Sequence, residues 1–358
     1  MRPKYLTYAL VMLSLAAVPL VASACGASGP STPTTAPATI APAATPASQP
    51  VAKAATTEAA TATGQANSHI TATIPIPGGA RGNLAYAFGS VWQPVDVAKV
   101  DRVDPATNKV IAAIPVGDAP DAAIGAFGSV WVTNCGGTVS RIDPSSNRVI
   151  ATIHLGLCPF GMGVLDGSIW VVNGFRVSRI DPATNRVIAD IKVPTLLTGC
   201  GNNCPAPFLN LATGAGAVWV TSFRSRVFRI DPATNRVTGA VTVGPCCEDV
   251  SQGVVVAFGS VWTTLGDRQA VARIDPSTLK VTAVIHAAES PSKLAAIGHK
   301  IWFGGAEDSD TVIQVIDPAT NKIATWAHVG DYSGPGAGGA GSIWANSYDG
   351  GLYRISLS

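Results

Sequence analysis

Charge is scarce in this sequence: Lys, Arg, Asp and Glu make up 13% of its 358 residues, and the formal net charge is +2. Setting aside Arg2 and Lys4, 22 basic residues face 22 acidic ones. A chain without a positive footprint is a poor partner for nucleic acid and for electrostatic docking on a membrane. Histidine is equally sparse, at five copies, so the commonest acid–base side chain of enzymes is in short supply. Helical periodicity is missing too, since no apolar pattern of about 3.6 residues persists beyond the leader. The sequence is rich instead in glycine, with 37 copies, and it holds eight tryptophans, seven of them regularly spaced.

Residues 1–24 read as an export signal. Arg2 and Lys4 supply the positive end, Leu6 to Val21 the apolar run, and Ala22, Ser23 and Ala24 the small residues before Cys25. Small residues directly before a lone Cys resemble the lipobox of bacterial lipoproteins, with Ala22 where Leu is usual. The resemblance implies a diacylglycerol on Cys25 and a protein lipid-anchored to the outer face of a bacterial membrane. From Gly26 to Ser68 the chain is almost entirely Ala, Thr, Pro, Ser and Gly. Such a segment cannot bury enough apolar surface to offset ordering, so residues 25–68 are expected to be the lipidated Cys25 and a disordered tether.

Residues 69–358 are built on one repeat. A Gly-x-x-Trp block is followed by Arg-Ile-Asp-Pro-Ala-Thr-Asn-Arg-Val-Ile or a variant of it, with Asp-Pro copies at Asp104, Asp143, Asp181, Asp231, Asp275 and Asp317. Trp92, Trp131, Trp170, Trp219, Trp262, Trp302 and Trp344 keep step. A period of about 40 residues means one supersecondary unit repeated. Each unit splits into four short runs rich in Val, Ile and aromatics, bounded by Gly, Asn, Asp or Pro, as β-strands are. Four-stranded sheets at this period pack radially as propeller blades. His69 to Pro75 matches the fourth strand of other units, and the chain stops after a third strand at Gly351 to Leu357. An all-β, seven-bladed β-propeller is therefore expected, closed by an N-terminal strand in the last blade. The repeated Trp reads as inter-blade core, the Asp-Pro turn as a backbone device, and the Arg two residues before each Asp as a sheet-surface or inter-blade charge.

The segment GSVWVTN with TVSRIDPSSNRVIATIHLG resembles the YVTN-type β-propeller repeats of exported bacterial proteins, with Trp in place of Tyr. That resemblance covers residues 69–358 and implies a seven-bladed ring of surface or periplasmic location, without an agreed activity.

Strand alternation puts the second-to-third-strand loops and the blade-to-blade connections at one end, the loop face. The nearly identical FGS and DPATN turns take the other end, the turn face. Unique chemistry is expected where the repeat breaks, on the loop face. All six cysteines after Cys25 map there: Cys135, Cys158, Cys200, Cys204, Cys246 and Cys247. Three disulfides are expected, Cys135 with Cys158 being the nearest pair; the others pair either between the two loops or locally. The Trp170 to Trp219 interval is 49 residues against 39 for each of the two before it, so Thr195 to Leu211 forms an enlarged loop. Phe160, Phe175, Arg176, Asn202, Asn203, Phe208, Arg224, Glu248, Asp249, Asp267 and Arg268 share that rim as the candidate ligand-binding face.

Catalysis finds little support. The histidines fall on outer strands or turns, at His69, His154, His286, His299 and His328, so no catalytic residue is assigned. Virginiamycin B lyase has a similar Gly-x-x-Trp block, but that family's catalytic His lies near the starts of inner strands, where this chain has AIGAFG, GMGVLDG and GVVVAFG. Quinoprotein dehydrogenases sometimes carry vicinal cysteines like Cys246 and Cys247, in longer blades with a metal site for which no motif occurs. The expected protein is a monomeric, non-enzymatic module, without cofactor or metal, that engages an extracytoplasmic protein, glycan or small molecule.

Overall fold

The computed structural model describes residues 69–194, 208–222, 225–244, 253–307, 310–329, 334–347 and 350–357. They form seven four-stranded antiparallel sheets. Blade 2 is typical, with strands Pro120–Ala126, Ser129–Asn134, Thr138–Asp143 and Arg148–His154. Blade 1 spans residues 85–115, blade 3 159–192, blade 4 208–242, blade 5 254–286 and blade 6 290–329. Blade 7 consists of Gly334–Gly339, Ser342–Asn346 and Gly351–Ser356, with Ile70–Pro75 as its fourth strand. Ile74 pairs with Leu352 and Thr73 with Tyr353 in that closing ladder. The first strands of neighbouring blades pack on one another all round the ring, so they line the axis, whereas the fourth strands splay outward.

The core lies between blades. Each apolar cluster of the described residues is drawn from two adjacent sheets, and seven such clusters run round the ring. Second strands are buried along their length in blades 1 to 5 and blade 7. All seven repeated tryptophans are buried. Each indole N–H donates to the carbonyl five residues earlier, for example Trp131 Nε1 to Ala126 O at 3.1 Å and Trp302 Nε1 to Ile297 O at 2.9 Å. Burying the ring therefore leaves no orphaned donor.

The arginines prove to be joints between blades. Trp131 and Arg141 are cross-strand partners, and the guanidinium carbon stands 4.8 Å from the indole centroid. Nε donates to Ser129 Oγ at 2.9 Å, and Nη1 donates to Pro182 O at 2.6 Å and Asn185 Oδ1 at 2.9 Å in the turn of the next blade. Asn185 holds φ +57 there, so one residue supplies both the left-handed backbone and the acceptor. Asp181 completes the turn by accepting from Ala183 N and Thr184 Oγ1, bonds that hold its carboxyl below the usual carboxylate range. The same clamp joins blade 1 to 2 through Arg102, 3 to 4 through Arg179, 5 to 6 through Arg273 and 7 to 1 through Arg354.

Two junctions differ. At blades 4 and 5, Ala217 replaces the serine and Leu279 the asparagine, and Arg229 turns to Thr238 Oγ1 of its own blade. Leu279 instead packs over Gly239, which stands where blades 1, 2, 3 and 5 have alanine. At blades 6 and 7 no Asp-Pro turn exists to receive an arginine, because the blade is completed by the other end of the chain. Val315 accordingly faces Trp302. Trp326 fills the junction, stacking on His69 at 4.3 Å, meeting Trp302 edge-on at 5.3 Å and donating to Ser356 O at 3.0 Å.

Equilibrium urea unfolding tests this reading. Arg141→Ala is expected to lower stability by about 2 kcal/mol, since it removes a stacked cation and its charged hydrogen bonds. Gly239→Ala alone is expected to destabilise by overlap with Leu279; combined with Ala217→Ser and Leu279→Asn it should be neutral or better, because the clamp is then complete.

Candidate functional site

On the loop face, Cys135 and Cys158 are joined in a disulfide. It ties the second-to-third-strand loop of blade 2 to the connection entering blade 3, as the sequence spacing indicates. Cross-linking residues 23 apart stabilises by about 3 kcal/mol in the chain-entropy model. Cys135 N also donates to Ala119 O at 2.8 Å, and Leu155 N to Gly137 O at 2.8 Å, so this sector is well held.

Phe160 is half-buried at the start of blade 3's first strand, and Phe175 is 51% exposed in a turn of the same blade. Arg176 pairs with Asp190 of its own blade at 2.6 Å, both side chains being about two-fifths exposed, which makes the pair worth little energetically. Asp267 and Arg268 sit in a loop of blade 5, where Arg268 donates to Val243 O. Phe208 begins blade 4 opposite Ser222. These residues are therefore spread along the rim over blades 3 to 5. Cys25, Cys200, Asn202, Asn203, Cys204, Arg224, Cys246, Cys247, Glu248 and Asp249 lie outside the described residues, with most of the Thr195 to Leu211 loop.

A more concentrated polar group lies at the axis. Lys293, on the first strand of blade 6, lays its stem across Gly334 of blade 7, where a Cβ would meet Lys293 Cδ at 2.8 Å. Its Nζ donates to Gly82 O at 2.7 Å and Asn346 Oδ1 at 2.9 Å. Gly82 is the hub: its carbonyl also accepts from Asn346 Nδ2 at 3.0 Å, and at φ +55 it leaves no room for a Cβ against the Asp121 carbonyl. The neighbouring Asn83 N donates to Asp121 O at 2.7 Å. Four blades, 1, 2, 6 and 7, thus meet at one end of the channel.

Asp121 is the charged residue of blade 2 in this group. Its carboxylate makes no hydrogen bond among the described residues; burial raises its pKa, with Lys293 and then Arg81 opposing. Burial in turn depresses Lys293 to about 8, against the pull of Asp121. The cluster offers an unsaturated acceptor beside an ammonium that sits near its titration point at neutral to mild alkaline pH. A ligand carrying hydroxyl or amine donors would satisfy the acceptor. Sequence reading passed over both residues. The available signal was a charge inside first strands that are otherwise uncharged.

The histidines do not converge. His69 is at the seam, His154 and His286 are exposed at the ends of fourth strands, and His299 is exposed in a turn-face hairpin.

No family model matches the chain, and no curated protein matches it. Among solved structures, it is similar to a chain of a mitotic checkpoint complex, with 12% identity, a TM-score of 0.67 and coverage of 87% of this chain and 98% of that one. It is also similar to a chain of Kuenenia stuttgartiensis hydrazine synthase, at 15% identity, TM-score 0.63, and coverage of 79% and 96%. The likeness is one of fold. At such identities it carries no activity with it.

The half-buried lysine has a measurable signature. Between about pH 8 and 10.5 the unfolded chain binds more protons at this residue than the folded one, so stability should rise with pH there. The slope is at most about 1.4 kcal/mol per pH unit. Lys293→Met is expected to flatten the rise, read as the difference in urea midpoints at about pH 7.5 and 9.5.

Proposed function

We propose that this protein is a non-enzymatic binding module of the YVTN-repeat type, lipid-anchored through Cys25 on the outer face of a bacterial membrane. Its ligand is a glycan or a small molecule rich in hydroxyl or amine groups, held at the loop-face end of the axis. The observation that carries this reading is Asp121: a half-buried carboxylate without a hydrogen-bond donor among the described residues, within electrostatic reach of Lys293, on the irregular end of an otherwise regular ring. Uncommitted acceptors of this kind cost free energy in the empty protein and are relieved by a ligand that donates. The rim residues Phe160, Phe175, Asp267 and Arg268, with the enlarged loop, supply the wider contact surface. Binding at this end leaves the clamps of the turn face undisturbed.

A glycan and polyamine array probed with wild type, Asp121→Asn and a variant with Thr195 to Leu211 replaced by a Gly/Ser segment tests the assignment. Asp121→Asn is expected to weaken a ligand by at least about tenfold, the loss of one charged hydrogen bond; full retention by both variants would refute it. For the anchor, Cys25→Ala should move the protein from the detergent-rich to the aqueous phase on Triton X-114 partitioning. Continued detergent partitioning would mean that no lipid on Cys25 is responsible.

A further inference from the structure

Blade 6 breaks the repeat on the turn face, at a place the axial site does not touch. In the other six blades the hairpin between first and second strands ends with a left-handed glycine, Gly89, Gly128, Gly167, Gly216, Gly259 and Gly341, at φ +68 to +71. Blade 6 has His299 there, at φ +63, and its glycine, Gly298, one residue earlier at φ +55, where the other blades have a non-glycine residue. Each hairpin thus has one glycine among its two left-handed residues, and in blade 6 the order is reversed, which leaves an exposed histidine side chain where the other blades have glycine. The next residue is Lys300, where blades 1, 2, 3, 5 and 7 have the serine that accepts from a clamp arginine. Blade 6 carries no clamp arginine, so serine is dispensable; nothing in the ring requires a lysine in its stead.

Both side chains border a cavity of about 430 Å³ between blades 5 and 6. Phe258, 40% exposed, and Pro318 give it apolar walls. Arg273 is fixed on the same cavity by Trp262 beneath it at 4.8 Å and by Ser260, Pro318 and Asn321 at its Nε and Nη1. The acidic wall residue, Asp317, is already committed: Oδ1 accepts from the Ala319 and Thr320 amides and Oδ2 from Lys300. The cavity therefore presents donors and a net positive charge beside an aromatic face. Its volume falls in the range of small-ligand sites, and it is open to solvent rather than enclosed.

We propose that this cavity binds a planar aromatic carboxylate or sulfonate, its ring against Phe258 and Pro318 and its anionic group on His299, Lys300 and the free edge of Arg273. A ring pairs with Phe258 in offset or edge geometry, and the anion gains charge-assisted hydrogen bonds.

The double variant His299→Gly, Lys300→Ser places the residues of blade 5 at these two positions and, besides the proposed donors, removes only the part-exposed Lys300–Asp317 ion pair. Fluorescence titration with 8-anilinonaphthalene-1-sulfonate and saturation-transfer NMR with benzoate serve as probes. Wild type is expected to bind both saturably at one site; the double variant should bind at least about tenfold more weakly while keeping a single cooperative thermal transition. Phe258→Ala, at an exposed wall position, should weaken both probes with Lys300 in place. Absence of saturable binding to wild type, or equal binding by the double variant, would overturn the proposal. Loss of glycan binding by Asp121→Asn leaves it untouched, since the two sites lie on opposite faces.

Discussion

The structure depends on a cation held between two sheets. A planar guanidinium rests on the tryptophan of its own blade and reaches the carbonyl and asparagine of the next blade's turn, as Arg102, Arg141, Arg179, Arg273 and Arg354 do. The apolar clusters alone would hold neighbouring sheets together without fixing how far one slides on the other, because area burial is nearly indifferent to small shifts. Directional hydrogen bonds from a rigid fork remove that freedom. The motif that dominates the sequence is thus two halves of one joint, the donor half and the acceptor half, both used by blades 1, 2 and 3 and one of them by each of the other four.

The exceptions follow from the same logic. Where the chain ends interrupt the turn, the arginine that would have served it is Val315, and an aromatic stack of His69, Trp326 and Trp302 takes over. Where Leu279 displaces the asparagine, Gly239 makes room for it and Ala217 replaces a serine no longer needed. In both places a lost polar contact is exchanged for apolar packing, with changes on both sides of the junction. The ring tolerates departures when donor and acceptor depart together.

This explains what was legible in the sequence. Seven blades, the strand limits within a residue or two, the shared last blade and the Cys135–Cys158 bond could all be read, because each repeats or is local in sequence. The partner of each arginine was not readable: it lies one repeat downstream in a different sheet, or for Arg354 at the far end of the ring sequence, and only the ring geometry brings it near. The axial group was hidden for a stronger reason. Asp121, Lys293, Gly82 and Asn346 come from four blades and occupy no common motif, so their meeting is a property of closure. The described rim residues lie at the end that strand alternation assigns them, yet their spread across blades 3 to 5 shows that sharing a face is weaker than sharing a site.

The closing strand also imposes an order on folding. Ile70–Pro75 is the first strand of the ring to be synthesised, and its partner Gly351–Ser356 is the last. Contacts this remote in sequence form slowly, so the strand waits unpaired while six blades assemble. Its composition suits the wait: Thr71 and Thr73 are exposed in the finished ring, Ala72 is small, and Pro75 ends the run, a pattern that discourages pairing with other copies. Release into a dilute compartment before the last few residues arrive would leave a nearly complete ring with one adhesive edge, which makes the final stretch of the chain the point at which solubility is decided.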